Sequence, residues 1–141
     1  MTTLLETIEL ETAPKPTAAV IWMHGLGADG HDFEPIVPQL GLDPRAAVRF
    51  VFPHAPSIPV TLNGGYVMPA WYDIQDADLK NRHDEQGIRA SAKKIEALIA
   101  REVERGVPTR RIVLAGFSQG GAMAVHVALR HAQPLAGLMA L

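Results

Sequence analysis

The 141-residue chain contains no cysteine. That absence excludes a disulfide framework, a thiolate zinc site and a cysteine nucleophile. An excess of either charge is also missing. Thirteen Lys and Arg stand against fifteen Asp and Glu, for a net charge of −2 with no long run of one sign. Nothing in this balance favours nucleic acid or an anionic membrane surface as a partner. No stretch approaches eighteen apolar residues, so no transmembrane helix is expected. The opening MTTLLETIELETAPKP has acids and no basic region ahead of an apolar run, so it does not read as a signal peptide. What is present is core material: 48% of residues are hydrophobic and 20% charged, outside the range of disordered chains. A single soluble, cytoplasmic domain over residues 1–141 is the expectation.

The apolar residues are arranged in two periods. Leu4 to Glu11 alternates imperfectly and reads as an edge strand. Ala18–His24, Ala47–Phe52 and Arg111–Phe117 are continuous apolar runs between turn signals, the pattern of strands buried on both faces. LAGLMAL, at 135–141, begins a further one. HDFEPIVPQLG carries Pro35 and Pro38 and can form only short helical turns. Ser57–Ile74 is irregular, with Asn63-Gly64-Gly65 between apolar flanks as a hairpin signal. At 18 residues it is long for a plain connection, and such loops are often functional. Ile88, Ala92, Ile95, Ile99 and Val103 recur every three or four residues, predicting a helix capped by Asp84 or Asn81 and ended by Gly106 and Pro108. A second, small-residue helix runs from Gln119 toward Pro134. Strands alternate with helices, so the fold class is α/β, a mainly parallel sheet with helices on both faces.

Two glycine-containing stretches bear on chemistry. Gly116-Phe117-Ser118-Gln119-Gly120 matches G-x-S-x-G, a weak pattern alone. Here it joins a buried strand directly to a helix, which is the context a nucleophile elbow requires. Ser118 is the candidate nucleophile, and Gly116, Gly120 and Gly121 supply the small neighbours of a strained turn. An ordinary strand-to-helix turn with glycines for packing is the plainer alternative. The earlier stretch, MHGLGADG, also spells G-x-G-x-x-G with Gly25, Gly27 and Gly30. A dinucleotide loop needs a helix directly after the glycines and an acid at the end of the second strand. HDFEPIVP and FVFPHAP provide neither, which leaves an oxidoreductase as a distant alternative. His24, Asp29, His31 and Asp32 cluster within nine residues but show no metal-ligand spacing, so no metal is expected. His31 and Asp32 read as loop polar groups, and His24 as structural support for its loop.

GFSQGGAMA, MHGLGADGHDF, FPHAP, GGYVMPAWYDI and GIRASAKKIEALI resemble, in the same order, motifs of the small bacterial carboxylesterase and acyl-protein thioesterase family. The likeness covers nearly all of the chain from Val20 onward. It implies an α/β-hydrolase fold and a serine carboxylesterase that cleaves an ester or thioester through an acyl-enzyme, with no cofactor. It also implies an oxyanion hole built from the backbone N–H groups of Gln119 and Leu26, with Gly25 and Gly27 allowing close approach. Met68 and Trp71 lie in the stretch that the family places near the active-site mouth, either as an apolar wall for an acyl chain or as loop anchors. Leu26 and Phe117 flank the nucleophile and are further candidates for contact with the acyl group, Phe117 as a substrate-binding residue. Expected partners are a small-molecule ester or acyl-thioester substrate, and a homodimer is compatible with the sequence.

A serine nucleophile needs a base and an orienting acid, which in this fold follow the serine along the chain. The 23 residues after Ser118 contain no Asp or Glu. They hold His126 and His131, which fall on the nucleophile helix roughly 12 and 20 Å down its axis, out of reach of the serine. These read as a packing and a surface residue respectively. His54 ends a strand at the same sheet edge and is kept as a supporting candidate. The expectation is therefore the amino-terminal portion of a longer esterase, whose last strand-helix units carry the acid and histidine. An exposed apolar strand at LAGLMAL would make such a piece prone to associate. The competing reading is an inert or interacting remnant that keeps the elbow for packing.

Overall fold

A computed structural model describes residues 3–75 and 84–141. Five strands form one sheet: β1 (Thr7–Glu11), β2 (Ala18–Met23), β3 (Val48–Pro53), β6 (Ile112–Gly116) and β7 (Gly137–Ala140). Their spatial order is β1-β3-β2-β6-β7; β1 is antiparallel to β3 and the other neighbours are parallel. A hairpin of β4 (Ser57–Val60) and β5 (Tyr66–Pro69) stands apart as a second sheet. It closes through the Asn63-Gly64-Gly65 turn that the sequence marks. The helices are α1 (Glu85–Glu104) and α2 (Gln119–Arg130).

The period-2 alternation of the strands sorts the core onto two faces. Ile21, Met23, Val51 and Leu114 point to one face, where Ile95, Leu98 and Ile99 of α1 and Met123, Ala124 and Val127 of α2 cover them. Trp22, Phe50, Phe52 and Ala115 point to the other. That face is covered by Phe33, Ile36 and Val37 from the connection holding the 3-10 helix Glu34–Leu40. Helical cover is thus present on both faces but unequal, because Pro35 and Pro38 hold the β2–β3 connection to a 3-10 helix. Trp22 stacks on Phe33 with ring centroids 5.2 Å apart.

Helix α1 starts where Asp84 accepts the N–H of Gly87 at 3.0 Å, the first of the two expected caps; the other, Asn81, lies outside the described residues. Its buried stripe differs from expectation at the carboxyl end. Val103 is 45% exposed, and Glu102 is buried in its place. The stripe runs through Ser91, Ile95, Leu98 and Glu102, a spacing of four, three and four that turns Val103 outward. Glu102 can lie there because Arg49 of β3 and Arg105 both donate to its carboxylate.

Strand order sets where a site can form. From β2 the chain crosses to β3 on one side, and later returns to β6 on the other. Adjacent parallel strands whose connections leave in opposite directions open a crevice at their carboxyl ends. Met23, at the end of β2, is in register with Gly116, at the end of β6. The loop from His24 and the turn at Ser118 therefore emerge side by side.

Candidate active site

Ser118 joins β6 to α2 at φ 55° and ψ −116°, a left-handed conformation that costs a side-chain-bearing residue about 1–3 kcal/mol. The turn is held from both sides. The N–H of Phe117 donates to Met23 O at 3.1 Å, and the N–H of Ser118 donates to Leu141 O at 2.9 Å. Two glycines make the turn sterically feasible. A Cβ on Gly116 would stand 2.1 Å from Gly120 O, and one on Gly120 would stand 2.3 Å from Met23 O. The serine side chain is exposed, while Gln119 behind it is buried. Ser118 is the N-cap of α2, so its hydroxyl sits at the positive end of a 12-residue helix.

The loop after β2 faces this turn. A Cβ on Gly25 would meet the Phe117 ring at 3.2 Å and Ser118 Cβ at 3.6 Å, so backbone and elbow touch directly. Gly27, at φ 78°, donates its N–H to Pro69 O at 2.9 Å and so ties the loop to the hairpin. Leu26, Ser118 and Gln119 line one groove of about 290 Å³ together with Tyr72, Ile74 and Ala122. Among the described residues, the N–H groups of Leu26 and Gln119 take no backbone acceptor.

His24 supports this loop from within. Its ring is 2% exposed. Nε2 accepts the N–H of Ala55 at 3.0 Å, so the ring proton must sit on Nδ1, which donates to Gly25 O at 2.7 Å. Acceptance at Nε2 needs the neutral ring, and burial lowers the pKa of His24 from the ordinary imidazole value. His54 holds the far end of the same loop, where its Nδ1 accepts the N–H of Gly30 at 3.0 Å.

Trp71 and Met68, candidates for either an acyl wall or loop anchors, are placed differently from one another. Trp71 is 1% exposed, and its indole N–H donates to His24 O at 2.8 Å. Its side chain lies under the loop, so it anchors rather than lines; the solvent-facing wall falls to the next residues, Tyr72 and Ile74. Met68 lies against the loop rather than in the groove, 3.7 Å from where a Gly27 Cβ would stand. Phe117, 45% exposed beside the serine, packs on Phe33 at 5.6 Å. Tyr72 lies in the same stretch as Met68 and Trp71 but carries no wall role in the sequence reading, and Ile74 and Ala122 are not singled out there. The one available signal was position: if Trp71 is turned into the core, an extended neighbour faces out.

Two further histidines among the described residues, His126 and His131, lie outside the groove lining at Ser118. His126 is half-buried beside Glu85, Arg89 and Arg130. Burial, then the positive charges of Arg130 and Arg89, lower its pKa. His131 is not the surface residue expected; its side chain is 12% exposed and pairs with Glu96 of α1 at 2.7 Å. No histidine or carboxylate lines the groove at Ser118 among the described residues. The glycine loop also fails as a dinucleotide site: a 3-10 helix follows it, and a Cβ at Gly30 would stand 2.5 Å from Phe52 O.

A mostly parallel sheet, a strained serine between strand and helix, and a facing glycine loop at the switch point define an α/β-hydrolase. Residues 6–141 match the model of the phospholipase/carboxylesterase family, and the chain belongs to that family. It is 44% identical over 144 residues to acyl-protein thioesterase 1 of Cryptococcus neoformans, covering 100% of this chain and 60% of that protein. With acyl-protein thioesterase 1 of Neurospora crassa the identity is 46% over 131 residues, covering 89% of this chain and 54% of the relative. Among solved structures, Arabidopsis thaliana SOBER1 superposes with a TM-score of 0.80 at 32% identity, over 86% of this chain and 59% of that one. Acyl-protein thioesterase 2 of Zea mays gives 0.73 at 30% identity, over 87% and 50%. These relatives are fungal and plant proteins, so the resemblance holds without its bacterial restriction. The chain spans about 60% of the length of the first curated relatives it matches. No helix among the described residues is long and apolar enough to cross a membrane.

Proposed function

We propose that this chain is the nucleophile-bearing part of a serine hydrolase that cleaves a carboxylic ester or thioester through an acyl-enzyme. The observation that carries the reading is Ser118, held at φ 55° and exposed at the amino end of α2 beside the loop of Leu26. Ser118 Oγ attacks the acyl carbonyl. The N–H groups of Leu26 and Gln119, two residues lining the groove, take the developing oxyanion. One such donor is worth about 2.7–4 kcal/mol of barrier in comparable sites. The leaving alcohol or thiol departs with a proton, and water then releases the acid and frees the serine. Tyr72, Ile74 and Leu26 form the apolar side of the groove, and an acyl chain fits that lining. The thioesterase names of the fungal relatives favour acylated protein as the substrate class.

The base that activates Ser118 and the acid that orients it are assigned to sequence outside these 141 residues. Two observations support this: the groove lining has no histidine or carboxylate among the described residues, and the relatives are longer. An inert remnant of the fold is the second reading, and the same missing groups favour it for the chain taken alone. Intact-mass analysis after exposure to a fluorophosphonate separates the two. The full-length protein should gain one adduct that disappears in Ser118→Ala, and the 141-residue chain should label far more slowly. Absence of a Ser118-dependent adduct in the full-length protein would refute the hydrolase reading.

A further inference from the structure

We infer that the side chain of Gln119 is a positioning residue that fixes the acyl-facing wall of the groove, a task separate from that of its backbone N–H. The inference rests on the ester-hydrolase reading above and extends it to acyl-chain selectivity. Gln119 is 4% exposed, so its carboxamide is out of water and needs partners. Its Oε1 accepts the N–H of Trp71 at 2.7 Å, and its Nε2 donates to the carbonyl of Tyr72 at 2.8 Å. One planar amide thus grips two successive residues of the connection between β5 and α1, using its acceptor on the first and a donor on the second. The pairing also fixes which way the amide faces, since a flip would set N–H against N–H.

No other side chain satisfies both partners at that reach. A carboxylate has no donor for Tyr72 O, Asn is a methylene shorter, and Lys or Arg has no acceptor for the Trp71 N–H. The strap is gripped on both sides of Tyr72: beyond it, the N–H of Asp73 donates to Asp84 at 2.9 Å, Thr61 donates its N–H and hydroxyl to the Asp73 carboxylate, and the N–H of Leu62 donates to Ile74 O at 2.8 Å. The N–H of Ala70 donates to Pro56 O at 3.0 Å, the Trp71 indole to His24 O at 2.8 Å, and Ser91 Oγ to Trp71 O. Among the described residues Gln119 is the donor to the Tyr72 carbonyl. Tyr72 and Ile74 are the residues through which the strap reaches the groove. The first residue of the nucleophile helix therefore ties the Tyr72 end of the wall, against which an acyl chain would lie, directly to Ser118. Loss of the clamp loosens that wall while the serine and the backbone donors keep their places.

The test uses the full-length protein with two variants and two readouts. Gln119→Met keeps nearly the same volume and removes both bonds. Gln119→Glu keeps an acceptor for Trp71 and removes the donor to Tyr72. Hydrogen exchange at the Trp71 amide should accelerate about tenfold in the Met variant and stay near the wild-type rate in the Glu variant, as expected for one hydrogen bond. With a series of p-nitrophenyl esters from acetate to dodecanoate, both variants should raise KM for the long chains about tenfold, the same one-bond scale. In both, the loss in kcat/KM should grow with chain length from acetate to dodecanoate, whatever the change on acetate itself. Equal losses on short and long esters, or an unchanged chain-length profile, would overturn the inference. If the Met variant does not fold, the Glu variant decides the matter through its long-chain KM. Failure of wild-type Ser118 to label with a fluorophosphonate would sink the hydrolase reading on its own, and Trp71 exchange would still judge the clamp.

Discussion

Gly120→Ala should destabilise the protein although intrinsic propensity argues the opposite. Gly120 lies in the first turn of α2 without a positive φ, so alanine there would ordinarily favour the helix by about 1 kcal/mol. The structure overrides that preference. The new methyl would stand 2.3 Å from Met23 O and 2.4 Å from His24 O, where ordinary contact begins at 3.4 Å. Both neighbours are backbone, so relief requires α2 to move off the end of β2 by about an ångström, and overpacking of this kind typically costs about 1–3 kcal/mol. The same movement separates the Gln119 N–H from the loop of Leu26. A misplacement of about 1 Å in a catalytic constellation can cost roughly a hundredfold in rate. Gly41→Ala is the control: its φ is 64° and nothing lies within 4 Å of its Cβ, so it carries backbone strain without a clash. Urea unfolding and the second-order rate of fluorophosphonate labelling measure the two effects. A Gly120→Ala protein as stable as wild type, labelling within about threefold of its rate, would show that the close approach of α2 to β2 does not govern the elbow.

Three further outcomes follow from other parts of the structure. Glu102→Ala should lose about 3–5 kcal/mol in urea unfolding, because it strands the guanidinium of Arg49, itself 10% exposed, without its buried partner; a loss under about 1 kcal/mol would mean Glu11 alone satisfies Arg49. His24 should make stability fall on acidification: burial lowers its folded pKa, so its contribution is complete above the ordinary value of about 6.5 and is lost progressively as pH falls from there through the lowered folded value. His24→Gln retains an acceptor for Ala55 and does not titrate, so its unfolding free energy should change less between pH 7 and 5, and parallel curves would refute the assignment of the neutral ring. Ser118→Gly should abolish labelling yet raise stability by about 1 kcal/mol through relief of the positive φ, read as a shift in the urea midpoint.

The strands and the elbow were legible because their signals are local. Ala18–Met23 and Ile112–Gly116 are continuous apolar runs, and the serine pattern sits directly between strand and helix. The glycine loop could be told from a dinucleotide loop by Pro35 and Pro38, which act within a few residues of Gly30. What escaped depends on partners far along the chain. Glu102 reads as a surface charge until Arg49, 53 residues away, is brought beneath it, and Val103 then turns outward. His131 is drawn inward by Glu96, 35 residues earlier. Trp71 and Tyr72 are both aromatic residues in an irregular stretch, and only the packing of the strap shows which faces the groove.

The amides of Phe117 and Ser118 are bonded to the ends of two different strands, Met23 on one side and Leu141 on the other. The high-energy turn therefore has no private way to open. Releasing Ser118 from its left-handed geometry means pulling β6 free of both β2 and β7, which is most of the way to unfolding the sheet. Local fluctuations elsewhere, in the hairpin or the first turn of α1, leave that cooperative unit closed. Ser118 is thus a strained residue with the opening free energy of the core, so its geometry persists for as long as the domain itself does.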